Sequence, residues 1–111
     1  MKRITAVIRP EKLDAVKQAL RNIGPGMTVI DVRGQGRQKG VKKTYRGSEY
    51  CLDLLNKVQI DMIVNAEDTA RITQIITLVA RTGKVGDGKT FVSDIEDVIR
   101  IRTGDSGRVA I

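Results

Sequence analysis

The chain of 111 residues alternates between two kinds of hydrophobic pattern. Apolar residues three to four positions apart form two stripes, and this spacing predicts amphipathic helices. The stripes consist of Leu13, Val16, Leu20 and Ile23 in the first helix, and Ile72, Ile75, Ile76 and Val79 in the second. Pro10 suits the first position of the earlier helix, where its missing N–H costs nothing. The Gly24-Pro25-Gly26 run and Gly83 predict where the two helices end.

Four runs rich in β-branched residues predict strands at residues 4–9, 27–33, 57–64 and 90–95. A further short extended segment is predicted at residues 98–102. The order β-α-β-β-α-β is typical of an α+β, ferredoxin-like domain, in which both helices cover one face of an antiparallel four-stranded sheet. No third helix is predicted that could cover the other face. We therefore expect the chain to self-associate.

The amino-acid composition favours some classes of function and argues against others. Aromatic residues make up only 3% of the chain, so the core must be aliphatic. The formal net charge of +7 indicates an anionic partner, such as nucleic acid, a membrane surface or a phosphate-bearing ligand. A single cysteine, Cys51, and the lack of histidine argue against a transition-metal cluster and a histidine-dependent nucleophile. No apolar run is long enough to span a membrane, and we expect a cytoplasmic protein.

A long loop is predicted at residues 34–56, between the second and third strands. Loops of more than about 12–15 residues are uncommon in compact domains and are usually functional or disordered. It begins with the glycine-rich and cationic run Gly36, Arg37, Gln38, Lys39 and Gly40, and Lys57 follows its end. Cations at both ends could clamp a dicarboxylate. The alternative is a solvated, flexible loop without a ligand.

Residues 82–89, with the sequence TGKVGDGK, combine three glycines with two lysines. Glycines allow backbone N–H groups to approach an anion closely, so this composition suits a phosphate group. The pattern is not a Walker A loop. The alternative is a glycine-rich turn between a helix and a strand, without a ligand.

Arg100 and Arg102 are two positions apart in the predicted extended segment. Residues at this spacing share one face of a strand, so both guanidinium groups could bind a polyphosphate. The alternative is a solvated edge strand, whose charges discourage aggregation.

Two other function classes remain open on these patterns. A basic ferredoxin-like module could bind nucleic acid, although such modules usually carry aromatic residues on the sheet face, and the predicted strands before Phe91 carry none. An enzyme is the weaker alternative, because the chain shows no clear acid pair and no activated nucleophile.

Four motifs together resemble the PII nitrogen-signalling proteins over almost the whole chain. They are YRGSEY at residues 45–50, TGKVGDGK at 82–89, GRQKG at 36–40 and RIRTG at 100–104. The resemblance implies a single domain over residues 1–111 that forms a homotrimer, with a partner-docking loop at 34–56, a phosphate loop at 82–89 and a C-terminal loop at 100–111. It also implies a regulator rather than an enzyme.

The resemblance further implies that ATP or ADP binds in each cleft between subunits. The residues implied to contact the nucleotide are Thr28, Gly34, Gly36, Arg37, Gln38, Ile63, Gly86, Asp87, Gly88, Lys89, Arg100 and Arg102. The adenine would lie near Thr28, Gly34 and Ile63 of this set, and near Asp61. Arg100 and Arg102 would come from the neighbouring subunit. Mg²⁺ held by the phosphates would take Gln38 and 2-oxoglutarate as ligands. The residues implied for 2-oxoglutarate are Gly36, Gln38, Lys39, Lys57 and Gly86.

For function, the resemblance implies a sensor of nitrogen, carbon and energy status. The loop that begins at Gln35 and ends at Asn56 would dock onto an ammonium transporter, a nitrogen-metabolism enzyme or a regulatory kinase. A transporter partner would recruit the protein to a membrane without inserting it, and no direct nucleic-acid binding is expected. Tyr50 matches the family's uridylylated tyrosine, so it is a candidate modification site.

Overall fold

A computed structural model describes residues 1–24, 26–36 and 54–111 in full, and the backbone of residues 42–45 and 48–51. The elements are, in chain order, β1 (Lys2–Ile8), α1 (Leu13–Leu20), β2 (Thr28–Gly34), β3 (Lys42–Tyr45), β4 (Ser48–Cys51), β5 (Leu55–Val64), α2 (Thr69–Ala80) and β6 (Gly88–Asp94). Short 3₁₀ turns precede both helices, at Pro10–Lys12 and Ala66–Asp68, and a third turn lies at Gly107–Ala110.

Four of the strands form one sheet in the order β2-β5-β1-β6. Every neighbouring pair is antiparallel. Since β1 and β2 both run opposite to β5, they are parallel to each other, and α1 makes the crossover between them. This arrangement confirms the predicted ferredoxin-like α+β fold.

The core lies between the two helices and one face of the sheet. Ile4, Ala6 and Ile8 alternate along β1 with more exposed residues, as the period of two in a strand requires. The other buried residues are Val16, Leu20, Val58, Ile60, Met62, Val64, Ile72, Ile76 and Ala80. The predicted helical stripes and the predicted aliphatic core are therefore confirmed.

The second face of the sheet, called here the open face, is not covered by either of the described helices. The strand register places Thr5, Asp61 and Phe91 side by side on this face. Phe91 and Ile30, both on it, are 54% and 42% exposed. The open face mixes apolar and charged groups, which fits the expectation of self-association. That expectation stays a prediction.

The C-terminal segment differs from its prediction. Residues 98–102 do not form an extended strand, because the chain turns at residues 101–103 and the Gly104 N–H donates to the Arg100 carbonyl at 2.7 Å. Gly104 has a φ of +73°, which glycine adopts without steric cost. An isolated bridge between Ile99 and Ser106 closes the turn. The inference that Arg100 and Arg102 share one face of a strand is therefore wrong.

The predicted long loop contains a β-hairpin. β3 and β4 pair only with each other, in a two-stranded sheet separate from the main one. β5 begins at Leu55, two residues before the predicted start of the third strand, and β6 begins at Gly88 rather than at residue 90. Among the described residues, none of the helices is sufficiently long and apolar to cross a membrane.

Candidate anion-binding cleft

A cleft of about 690 Å³ lies where β2 ends and where β5 and β6 begin. These chain ends meet because Gly34 pairs with Leu55, and Gly88 pairs with Ile8. Residues from three predicted segments line the cleft together: Gly34, Gly36, Lys57, Gly86, Asp87, Gly88 and Lys89. Six further residues also line the cleft: Val7, Gln35, Leu55, Lys84, Val85 and Phe91. Four of them belong to the predicted segments 34–56 and 82–89, so the structure alone adds Val7 and Phe91.

The Asp87 carboxylate organises the loop at residues 82–88. It accepts hydrogen bonds from the backbone N–H groups of Thr82 and Gly83, both at 2.9 Å, and from the Thr82 hydroxyl. Arg9 donates to it from Nε at 3.1 Å. The hydrogen bonds from Thr82, Gly83 and Arg9 outweigh the effect of burial and hold the pKa of Asp87 well below its usual range. Since the Asp87 carboxylate is engaged within the loop, the group of Asp87 that could donate to a phosphate is its backbone N–H.

The depressed pKa of Asp87 makes the loop stable at neutral pH and sensitive to acid. A carboxyl whose folded-state pKa is lowered contributes stability that is complete above the unfolded pKa of about 3.9 and is lost as pH falls toward the folded value. In an NMR titration, the amide signals of Thr82 and Gly83 should stay constant between about pH 8 and 5 and shift only below about pH 4. The Thr82→Val variant removes one donor, so its transition should move to higher pH. A wild-type midpoint at or above the usual aspartate value would contradict this assignment.

Lys57 connects β5 to the same loop. Its Nζ donates to the Gly86 carbonyl at 2.6 Å. Burial and the nearby Arg9 charge lower the pKa of Lys57, while the charges of Glu11 and Asp87 oppose that shift. The predicted pairing of Lys57 with a ligand carboxylate stays a prediction.

Gly88 is the position where the loop comes closest to the sheet. Its φ is +97°, and a Cβ placed there would lie 1.7 Å from the Val7 carbonyl oxygen. Gly86 also has a positive φ, of +103°. Only glycine fits at Gly88, because both the backbone conformation and the available space exclude a side chain.

The residues implied for adenine do not gather around this cleft. Thr28 pairs with Asp61 across β2 and β5, and Ile63 lies two residues further along β5. Thr28 and Gly34 are at opposite ends of β2, a separation of roughly 20 Å at about 3.3 Å per residue. The two groups cannot surround one adenine ring within a single chain.

Asp61 takes part in a polar cluster of its own. Its carboxylate accepts from the Thr5 hydroxyl at 2.6 Å and the Gln59 amide at 3.2 Å, and pairs with Arg3 at 3.1 Å. Burial raises the pKa of this carboxyl, but the hydrogen bonds from Thr5, Arg3 and Gln59 outweigh burial and leave the pKa below its usual value.

Arg100 and Arg102 lie in the segment that follows β6, whereas the loop at residues 82–88 precedes that strand. The Arg100 guanidinium donates to the Val109 carbonyl at 2.9 Å and lies 3.6 Å from the Asp105 carboxylate, and Arg102 is exposed. β6 therefore separates both arginines from the loop of the same chain.

Several predicted residues lie outside the described part of the chain: Arg37, Gln38, Lys39 and the side chain of Tyr50. Sequence reasoning in turn missed Arg9, and it placed Thr82 in the predicted loop without assigning it a role; both side chains hold the loop. Arg9 directly follows β1, and Ile8 before it pairs with Gly88. The sequence signal was an arginine at the end of a predicted strand, but nothing in the pattern indicated which loop that strand would meet.

Comparison with known proteins identifies the family. The family model described as "Nitrogen regulatory protein P-II" matches residues 1–105. The chain is 56% identical to "Nitrogen regulatory protein P-II 1" of Methanothermobacter thermautotrophicus, over 100% of this chain and 97% of that relative. It is 52% identical to "Nitrogen regulatory protein P-II" of Porphyra purpurea and 49% identical to that of Rhizobium meliloti, with complete coverage of both chains in each case. Matches of this extent show that the chain belongs to the PII family of nitrogen regulatory proteins.

Proposed function

We propose that this nitrogen regulatory protein binds ATP or ADP together with 2-oxoglutarate, and that the bound ligands control its docking to target proteins. Proteins of the PII family are regulatory signal transducers, and this chain would act in the same way, without catalysing a reaction of its own. The observation that carries the proposal is the loop at residues 82–88, which is held in shape by Asp87 beside a cleft with several cations.

The cleft has the groups that a polyphosphate requires. Gly86 and Gly88 leave their backbone open to close approach, and Lys89 and Lys84 add positive charge at the rim. Its volume of about 690 Å³ is within the range of about 300–1,000 Å³ that is common for small-molecule sites. Arg37, which the family resemblance assigns to the nucleotide, would add a guanidinium group.

Two chains would be needed to complete one nucleotide site. Thr28, Asp61 and Ile63 lie far along the sheet from Gly34, and Arg100 and Arg102 lie in the segment beyond the other end of β6. A neighbouring subunit could bring its own copies of these groups to the cleft. The proposed homotrimer would also cover the open face of the sheet, whose exposed apolar residues include Ile30 and Phe91.

Mg²⁺ and 2-oxoglutarate would share the same cleft. In the described parts of the chain, no cluster of three or more His, Cys, Asp or Glu residues could hold a metal ion. The proposed Mg²⁺ therefore depends on phosphate oxygens and Gln38, and Mg²⁺ commonly binds substrate phosphates with few protein ligands. Lys57 supplies a positive charge for a carboxylate of 2-oxoglutarate, beside backbone at Gly36 and Gly86.

Regulation follows from thermodynamic linkage. If ATP and 2-oxoglutarate share one metal ion, each increases the affinity for the other by the same factor. The pair would shift the conformation of residues 35–56 only by as much as it binds one loop state better than the other. Targets would be an ammonium transporter at the membrane, a nitrogen-metabolism enzyme or a regulatory kinase. Uridylylation of Tyr50 would add bulk and charge that oppose docking.

Calorimetric titration of 2-oxoglutarate tests the proposal. We expect 2-oxoglutarate to bind when Mg-ATP is present and to give no binding heat without it. Glutarate is the matched control ligand, because it keeps both carboxylates but lacks the 2-oxo group, and it should bind far more weakly. If neither ATP nor 2-oxoglutarate binds, the proposal is wrong, and the nucleic-acid alternative should be examined by salt-dependent RNA binding.

A further inference from the structure

The loop at residues 82–88 is held by two cations that bind successive backbone carbonyl groups. Arg9 donates from Nη2 to the Val85 carbonyl at 2.9 Å, and Lys57 donates from Nζ to the Gly86 carbonyl at 2.6 Å. Both carbonyls therefore face the protein's own cations. Arg9 is 14% exposed in its side chain and comes from the end of β1, so it is fixed to the sheet rather than to the loop.

The direction of these carbonyls determines the direction of two amides. The peptide bonds on both sides of Gly86 are trans, and a planar trans peptide points its C=O and its N–H in opposite directions. The Gly86 N–H consequently points away from Arg9, and the Asp87 N–H points away from Lys57. Within the described residues, neither amide donates a hydrogen bond. Gly86 and Asp87 both line the cleft, so two adjacent N–H donors lie at its wall.

The two cations that bind the loop are close to each other. The charge of Arg9 is close enough to Lys57 to contribute to its lowered pKa. Repulsion between these cations is offset by Asp87, whose carboxylate pairs with Arg9 at 3.1 Å. The Arg9–Asp87 ion pair also neutralises the Asp87 carboxylate, whose negative charge would otherwise repel a phosphate group. Arg9 therefore acts on the loop twice, through the Val85 carbonyl and through the Asp87 carboxylate.

We propose that Arg9 is a positioning residue for phosphate binding, which orients the Gly86 amide at the cleft and neutralises the Asp87 carboxylate, while Lys57 orients the Asp87 amide. This inference rests on the proposed nucleotide-binding function and adds to it a residue that need not touch the ligand. An anion-binding loop of this kind depends on preorganised N–H groups, because groups already oriented lose little entropy when the ligand binds. Without Arg9, the Val85–Gly86 peptide could rotate and Asp87 would retain an uncompensated charge.

The test compares ATP, ADP and adenosine affinities in wild type, Arg9→Ala, Arg9→Lys and Lys12→Ala. Arg9→Ala should weaken ATP and ADP binding at least tenfold and leave adenosine binding within twofold. Arg9→Lys keeps the charge and one donor, so it should recover part of the loss. Lys12→Ala removes the same charge three residues later, where the side chain makes no hydrogen bond in the described part of the chain, and should stay within twofold for all three ligands. Equal loss of adenosine and ATP affinity, or wild-type ATP affinity in Arg9→Ala, would overturn the proposal.

NMR of the nucleotide-free protein separates this inference from the proposed function. Arg9→Ala should shift or broaden the amide signals of Gly83, Gly86 and Asp87, whereas Lys12→Ala should leave them in place. Unchanged signals in Arg9→Ala would refute the positioning role, whatever the protein binds. If the wild type binds no ATP, the proposed function fails, and titration with inorganic pyrophosphate then decides whether the loop is an anion site. Pyrophosphate shifts at Gly86 and Asp87 that vanish in Arg9→Ala support the inference, and their absence in the wild type overturns it.

Discussion

Gly88→Ala should destabilise the protein by about 3 kcal/mol or more, which lowers the melting temperature by roughly 10 °C. An alanine Cβ at this position would lie 1.7 Å from the Val7 carbonyl oxygen. No side-chain rotation can relieve this contact, because both groups belong to the backbone or are attached directly to it. The first residue of β6 would have to separate from β1, and the loop at residues 82–88 that precedes it would move as well. We therefore expect the proposed ATP binding to weaken together with stability.

Gly83→Ala is the matched control for this prediction. Gly83 has a similar φ of +88°, but no atom lies within 4 Å of the position that its Cβ would occupy. Gly83→Ala should destabilise the protein only by the cost of the unfavourable φ, about 1–2 kcal/mol. Thermal unfolding of both variants at one protein concentration measures the difference, because association would make the melting temperature depend on concentration. Equal stability of the two variants would show that the close approach to Val7 does not constrain the fold.

Ile60→Ala should cost about 2–5 kcal/mol, the usual range for removing most of a buried aliphatic side chain. Ile60 is fully buried on β5, one of the two central strands, and faces both helices. The loss combines reduced burial of apolar surface with a cavity that neighbouring strands cannot close, since they are held by hydrogen bonds on both sides of β5. Chemical denaturation with an unchanged slope against denaturant concentration would attribute the effect to stability alone.

Leu78→Ala provides the control on α2. Leu78 is 80% exposed, and alanine has a somewhat higher helix propensity, so the change should stay within about 0.5 kcal/mol. A loss at Leu78 as large as that at Ile60 would mean that the outer face of α2 is covered in solution. Leu78 would then lie on a surface that contacts another molecule.

Much of the candidate site could be predicted from local sequence. Gly86, Gly88 and Lys89 were identified because glycines beside lysines indicate a loop that an anion can approach, and the structure places all three at one cleft. The contribution of Arg9 could not be predicted in this way. Arg9 and Asp87 are 78 positions apart, and they meet only because β1 and β6 pair in one particular register.

The two departures from the predicted elements have local causes. The hairpin of β3 and β4 was missed because its strands are only four residues long, too short for a clear alternation of apolar and polar positions. The prediction of an extended segment at residues 98–102 was wrong because the chain forms a turn that depends on Gly104. This glycine lies beyond the β-branched residues on which the prediction was based. Arg100 consequently bonds to the Val109 carbonyl of its own C-terminal segment.

The sequence by itself determined the order of the helices and main-sheet strands and the faces that they bury, because the periods of 3.6 and 2 in helices and strands are properties of neighbouring residues. The family resemblance came from four local motifs, at residues 36–40, 45–50, 82–89 and 100–104. Only the tertiary structure decided which strand ends meet, which cation holds which carbonyl, and that Thr28 lies far from Gly34. These outcomes depend on strand register and on packing between distant segments, and no local pattern records them. The free energy of a tertiary contact depends on both residues that form it, so the sequence around one of them does not predict the contact.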